Sequence, residues 1–184
     1  RYFSNIPLVI NESNTELLHF TKSLREKFTI IDENIYLPEY EIKMRKDNIR
    51  IQAKYDLIII KPNNKIEIWD WKTENKKLDY SEVSKRMQAI VYMYIVGERS
   101  LEIFDKEIPF ENISMSFWQP QYKEEVITIN YSKSKHKIYE EKIIEIIHRL
   151  TNYDFSLDFN IELYRKMCKY CEVAGDTQVC DAFI

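Results

Sequence analysis

Glycine is almost missing from this chain: 2 residues in 184, alongside only 5 prolines. That scarcity excludes collagen-like, low-complexity and linker-dominated architectures. Cysteine is scarce as well, and the 3 residues all fall within Cys168 to Cys180. An odd number so tightly spaced is no disulfide framework; it suits a metal cluster in a reducing compartment. Long apolar runs are lacking too. The longest unbroken aliphatic run, Leu57 to Ile60, is far short of the ~20 residues of a membrane span. No signal peptide opens the chain, which implies a cytoplasmic protein with no membrane partner. The first residue is Arg1 rather than Met, which implies that the natural chain begins upstream. Nor is there an excess of positive charge. With 27 Lys and Arg against 30 Asp and Glu, the net charge is −3. This excludes coating nucleic acid by bulk charge but leaves room for a local basic groove.

The chain has enough apolar residues to bury a core: 45% are hydrophobic, 14% aromatic and 31% charged. The length fits one domain over 1–184, with a core over about 14–130 and a helical extension with a cysteine tail over 131–184. Ser13-x-x-Glu16 is a capping-box pattern, and Leu17, Phe20, Leu24 and Phe28 recur at helical spacing, so a helix is expected over 14–28. Stretches 35–44 and 49–60 read as strands around the polar Arg45-Lys46-Asp47-Asn48. Lys61-Pro62-Asn63-Asn64-Lys65 is a turn, and 66–72 is the next strand. Asp79-x-x-Glu82 opens a helix marked by Val83, Met87, Ile90, Val91, Tyr94 and Ile95 and ended near Gly97. Strands over 113–118 and 125–131, a long amphipathic helix over 135–151 and a short helix near 160–168 complete the reading. Three strands joined by short turns form an antiparallel meander, and the strand after the second helix returns by a crossover and pairs in parallel. The class is α+β, or mixed α/β, with helices flanking a mixed sheet.

The chemistry is concentrated in one hairpin. Ala53 to Ile60 and Ile66 to Lys72 are both rich in apolar residues, so an Asp within them loses hydration and needs a partner or a metal. A turn centred on Asn63 sets Asp56 opposite Asp70, and directly opposed residues share a face. Lys72, two residues on, lies on that face too. Two carboxylates beside an ammonium offer hard oxygen ligands for Mg²⁺ or Mn²⁺, with a cation that can act on a water or a phosphate. The plainer reading is an ion pair at a sheet edge.

Asp56 followed by Asp70-x-Lys72 resembles the PD-(D/E)XK nuclease superfamily, in particular its RecB-like branch of recombination-helicase exonuclease domains and CRISPR-adaptation iron–sulfur nucleases. The resemblance implies a restriction-endonuclease-like core of helix, three-strand meander, helix and strand. It implies catalysis by Asp56, Asp70 and Lys72, and a metal held by His19, Asp56, Asp70 and the backbone carbonyl of Trp71. Thr15-x-x-x-His19 stands where the branch has Gly-x-x-x-His, and Glu16, one turn earlier, is the second candidate. Gln88-x-x-x-Tyr92 matches the branch's Gln…Tyr motif, which makes Gln88 and Tyr92 substrate-binding candidates, with Lys85 beside them.

Two basic clusters stand out: Lys43, Arg45, Lys46 and Arg50, and Lys76, Lys77, Lys85 and Arg86. Both read as solvated faces by default; the second flanks the site and is preferred for phosphate contact. His136 and His148 fall on a polar loop and a helix surface, with no partner suggested. Cys168-x-x-Cys171 followed by Cys180 has the density of a metal site, and the branch implies descent from an iron–sulfur cluster site, whose fourth ligand either lies just upstream of Arg1 or has been lost together with the cluster.

The reading that follows is a Mg²⁺- or Mn²⁺-dependent deoxyribonuclease, an exonuclease acting on single-stranded DNA ends, working within a repair or CRISPR-adaptation complex. The alternatives are a catalytically silent nucleic-acid-binding module of the same fold and a zinc-bound interaction protein organised by the tail.

Overall fold

The computed structural model of the chain describes Phe3 and residues 15–47 and 49–154, with the side chains of residues 15–17 outside the description. The expected helix near 160–168 and all three cysteines lie outside the described residues. The chain divides into two compact units, Arg1–Ile144 and Glu145–Ile184. The first holds a helix α1 (Thr15–Lys27), strands β1 (Ile35–Lys46), β2 (Ile49–Ile60) and β3 (Ile66–Trp71), helices α2 (Tyr80–Val83) and α3 (Met87–Phe104), and strands β4 (Ile113–Trp118) and β5 (Val126–Asn130). A last helix, α4 (Lys133–Thr151), begins in the first unit and ends in the second. Among the described residues no helix is long and apolar enough to cross a membrane.

The strands form one sheet in the order β1-β2-β3-β4-β5. β1, β2 and β3 pair antiparallel, and β3 pairs in parallel with β4 after the α2–α3 crossover. This is the α+β class expected, a mixed sheet flanked by helices. The turn over Lys61–Lys65 closes with the Lys61 N–H donating to the Lys65 carbonyl at 2.9 Å, and Asn64 takes the left-handed conformation at φ 58°. It delivers the register computed from a turn centred on Asn63: Ile60 pairs with Ile66, Ile59 with Glu67, Ile58 with Ile68 and Leu57 with Trp69.

Alternation splits β3 between two faces. Trp69 and Trp71 pack into an aromatic and aliphatic cluster with Leu24 and Phe28, at and just beyond the end of α1, and with Leu57, Ile59 and Trp118. The Phe28 ring meets Trp69 edge-on at 4.8 Å. Ile66, Ile68 and Asp70 are buried on the other face, and Gln88 of α3 reaches Asp70 there. α3 is buried on most of its circumference, through Ala89, Ile90, Met93, Tyr94, Ile95 and Val96, as a crossover helix covering a sheet must be.

Two local expectations are corrected. The helix expected from Val83 to Gly97 is two helices, α2 and α3, with Arg86 in extended conformation between them. Gly97 does not stop α3, which runs on to Phe104 and ends at Asp105 in the left-handed conformation, φ 53°. Gly97 is there for space: a Cβ would meet Phe110 and Tyr131 ring carbons at 3.1 Å and His136 Nδ1 at 3.2 Å. His136, expected on a polar loop without a partner, is buried in the first turns of α4. Its ring lies at 2.8 Å from both the Tyr131 hydroxyl and Glu98 Oε1, and stacks on Phe110. Lys46 closes the same network by pairing with Glu98 and Glu140. Periodicity marks which face of a helix is apolar and carries no signal for a polar group buried in a network.

Gly97→Ala sets a helix-propensity gain of about 1 kcal/mol against overpacking that typically costs ~1–3 kcal/mol. The neighbours are two rings and an imidazole already fixed by hydrogen bonds, so they cannot all yield. The variant is expected to lose ~1 kcal/mol net in urea unfolding; equal or greater stability would show that the contact relaxes.

Candidate active site

Asp56 and Asp70 lie one position past the last ladder pair, Leu57↔Trp69, where β2 and β3 part. Glu39 has φ 53°, and the Glu39–Asp56 position is likewise skipped in the β1–β2 ladder. Asp56 is therefore released from regular pairing with both neighbouring strands. Its Oδ2 accepts the Trp71 backbone N–H at 2.9 Å, a bond that the ladder would otherwise have given to a carbonyl. In extended backbone a residue's N–H and C=O face the same neighbour, so the Trp71 carbonyl is turned to the Asp56 side.

Asp70 is only 3% exposed and is held in a closed triangle. Gln88 Nε2 donates to Asp70 Oδ1 at 2.6 Å, Lys72 Nζ donates to Gln88 Oε1 at 2.7 Å, and Lys72 Nζ stands 2.8 Å from Asp70 Oδ2. Gln88 can fill this position because its amide carries both a donor and an acceptor, one for each sign of charge. The Lys72–Oδ2 contact is an ion pair without hydrogen-bond alignment, which leaves Oδ2 a buried oxygen with no directed donor.

Electrostatics mark both carboxylates. Burial pushes Asp56 up to about 6, and the nearby Asp70 and Glu39 charges add to the shift against the Trp71 N–H. Burial also raises Asp70, opposed by Lys72 and Gln88. Two acids that hold protons more tightly than usual, one of them with an undirected oxygen, form a donor set that a divalent cation fits. The cation would offset the repulsion and take up the spare lone pairs.

The other sequence-predicted residues are distributed around this centre. His19 is on α1 with its side chain exposed, and among the described residues no group of three or more His, Cys, Asp or Glu gathers as a metal site. The Glu16 side chain lies outside the description. The Tyr92 hydroxyl donates to the Lys54 carbonyl at 2.6 Å, and the Tyr55 hydroxyl donates to the Tyr92 carbonyl at 3.0 Å. This reciprocal clamp fixes β2 against α3 directly before Asp56. Lys85 is exposed.

Sequence reasoning missed the residues that hold the loop after Lys72. Gln119 is buried; its Oε1 accepts the Leu78 N–H at 2.9 Å, and its Nε2 donates to the Glu74 and Lys76 carbonyls at 2.8 and 2.9 Å. The Tyr122 hydroxyl donates to the Asn75 carbonyl. The only hint of this was the position of Gln119 between a strand end and Pro120, where a side chain can reach back over the neighbouring loop.

A helix, a meander with Asp and Asp-x-Lys where its second hairpin opens, a crossover helix and a parallel strand define the restriction-endonuclease-like class. The chain belongs to the PD-(D/E)XK nuclease superfamily, whose family model matches residues 9–180. No curated protein matches it. Among solved structures it is similar to the crystal structure of SSO0001, with 20% identity and a TM-score of 0.40 over 86% of this chain and 66% of that one. The chain thus spans just under two thirds of that protein's length.

The raised Asp56 pKa fixes the sign of a pH effect. Its folded value, about 6, exceeds its ordinary 3.8. In metal-free protein the neutral acid therefore stabilises the fold fully at low pH, and this contribution is lost as pH rises through about 6. Added Mg²⁺ or Mn²⁺ competes with that proton. The metal-induced rise in Tm is expected to be larger at pH 7.5 than at pH 5, where binding is ~10-fold weaker for one such group. Asp56→Asn should flatten the dependence; an equal metal effect at both pH values would remove Asp56 from the binding set.

Proposed function

We propose that the protein is a metal-dependent nuclease that hydrolyses phosphodiester bonds in DNA, acting on single-stranded ends. The observation that carries this reading is the Asp70–Lys72–Gln88 triangle beside Asp56, with one buried carboxylate oxygen left without a directed donor. A purely structural ion pair gains nothing from a second, unneutralised carboxylate next to it. Asp56, Asp70 and the Trp71 carbonyl would hold the Mg²⁺ or Mn²⁺, with a further ligand from α1, His19 or Glu16. When bound, the metal supplies Lewis-acid polarisation of the scissile phosphate.

The chain's own groups do the rest. Lys72 presents an ammonium to the phosphate and orients the attacking water, and Gln88 restricts where that ammonium stands. Asp56 and Asp70 keep the pocket anionic, so a polyanion enters only with a cation in place. The Tyr55–Tyr92 clamp and the Gln119-tethered loop keep the two walls of the site from shifting.

Labelled single- and double-stranded DNA, incubated with Mg²⁺, Mn²⁺ or EDTA, tests the reading. Cleavage is expected with metal, abolished by EDTA, and faster on single strands. Asp70→Ala should abolish both metal binding in calorimetry and cleavage. Lys72→Ala should keep metal affinity within a few-fold and slow cleavage by ~10² or more. A fully active Lys72→Ala enzyme would refute its role, and unchanged metal affinity in His19→Ala would move the α1 ligand to Glu16.

A further inference from the structure

We propose that the tip half of the β1–β2 hairpin is a second contact surface for the DNA strand, gripping its phosphates about 20 Å from the cleavage point. The inference rests on the nuclease reading above and extends it to residues outside the site.

Of the two basic clusters, the one beside the site is largely neutralised. Lys76 pairs with Glu82, Lys77 with Glu125 at 2.8 Å, and Arg86 with both Glu74 and Glu82. In the hairpin cluster Lys43 pairs with Glu41 at 2.9 Å and Lys46 with Glu98 and Glu140, and the arginines are what sets it apart. Arg45 and Arg50 are directly opposed in the register, and Lys43 opposes Gln52 on the same face. All four are exposed. Like charges directly opposite destabilise a strand pair, yet among the described residues neither arginine has an anionic partner. Next to them an open cavity of about 580 Å³ is lined by Lys43, Arg45, Arg50 and Gln52, with Arg99 of α3, itself paired with Glu102. Unpaired guanidinium groups set side by side present a planar, multidentate donor surface suited to successive phosphates.

The path to the site is given by β2 itself. Arg50, Gln52 and Lys54 alternate onto one exposed side of β2, and the same strand reaches Asp56 two residues beyond Lys54. The six residue steps from Arg50 to Asp56 span about 20 Å, which is about six nucleotide steps at the duplex spacing and about three to four for an extended single strand. A strand cut beside Asp56 and Asp70 would thus reach the arginines only when it is longer than that span.

The test uses the full chain and fluorescent single-stranded DNA of about 25 and about 3 nucleotides, the second too short to span ~20 Å, with binding followed by anisotropy across a salt series. For Arg45→Ser/Arg50→Ser, affinity for the long strand is expected to fall ~10-fold, with the log–log salt slope reduced by ~1.4 for two lost phosphate contacts. Affinity for the short strand should not change. In cleavage, KM for the long strand should rise with kcat intact, and Arg45→Lys/Arg50→Lys should retain most of the affinity. Unchanged long-strand affinity, an equal loss on both lengths, or the same loss from Lys76→Ser/Lys77→Ser would overturn the proposal. A wild-type protein that neither binds nor cleaves either strand would instead overturn the nuclease reading, and this inference with it.

Discussion

A carboxylate buried at the end of a central strand is the constraint around which this molecule is arranged. Asp70 cannot be ionised there without compensation, because a lone buried charge loses several kcal/mol of hydration. The compensation comes from two directions. Lys72 is supplied by the same strand, two residues on; Gln88 is supplied by the crossover helix. The helix that covers the sheet is therefore keyed to the strand by an amide matched to both charges. The Tyr55–Tyr92 exchange, one helical turn further along α3, repeats the lock on β2. Both devices act on the two strands that carry the carboxylates, so the energetics that seat α3 also set the geometry of the site.

The compensation is incomplete, and that incompleteness is informative. Lys72 pairs directly with Asp70; among the described residues Asp56 accepts a hydrogen bond only from a backbone N–H, and the like charges of Asp70 and Glu39 act on it against the more distant Lys72. A fold selected for stability alone would have replaced one of the acids. Keeping both raises their proton affinity and leaves Asp70 Oδ2 with an ammonium contact but no directed donor, a state that a divalent cation would relieve. Glu39 in a left-handed conformation adds local backbone strain at the same point, and strain of this kind concentrates at functional sites.

Much of this was legible in the residues. Strand positions, the crossover and the hairpin register followed from alternation and from a turn whose Asn and Pro chemistry has few solutions. Asp56, Asp70 and Lys72 followed from the register. What stayed hidden depends on tertiary contact. Glu39 at positive φ releases Asp56 from the ladder, yet no residue type signals it, since glycine would and glutamate does not. Gln88 was visible by spacing as a residue near the site. That it bridges Asp70 and Lys72 depends on how closely α3 docks. Gly97 read as a stop because glycine most often ends helices; here the neighbouring rings of Phe110 and Tyr131 leave no room for a side chain. His136 was hidden for a related reason, since its partners Glu98, Phe110 and Tyr131 come from three separate segments of the chain.

The same limit applies to charge. A net charge of −3 describes a chain that cannot coat a polyanion by bulk charge and must hold it locally. Proximity in sequence favoured the lysines that follow Lys72 as the remedy. Folding assigns them otherwise: carboxylates from α2, the following loops and the β5 approach neutralise that cluster, so it contributes little net field. The arginines at the hairpin tip are farther away along the chain and have no such partners among the described residues. For a substrate that is itself a line of charges, the field that matters is the one left after internal pairing. Recognition is then set by which cations the fold leaves unmatched, and how far from the carboxylates it places them.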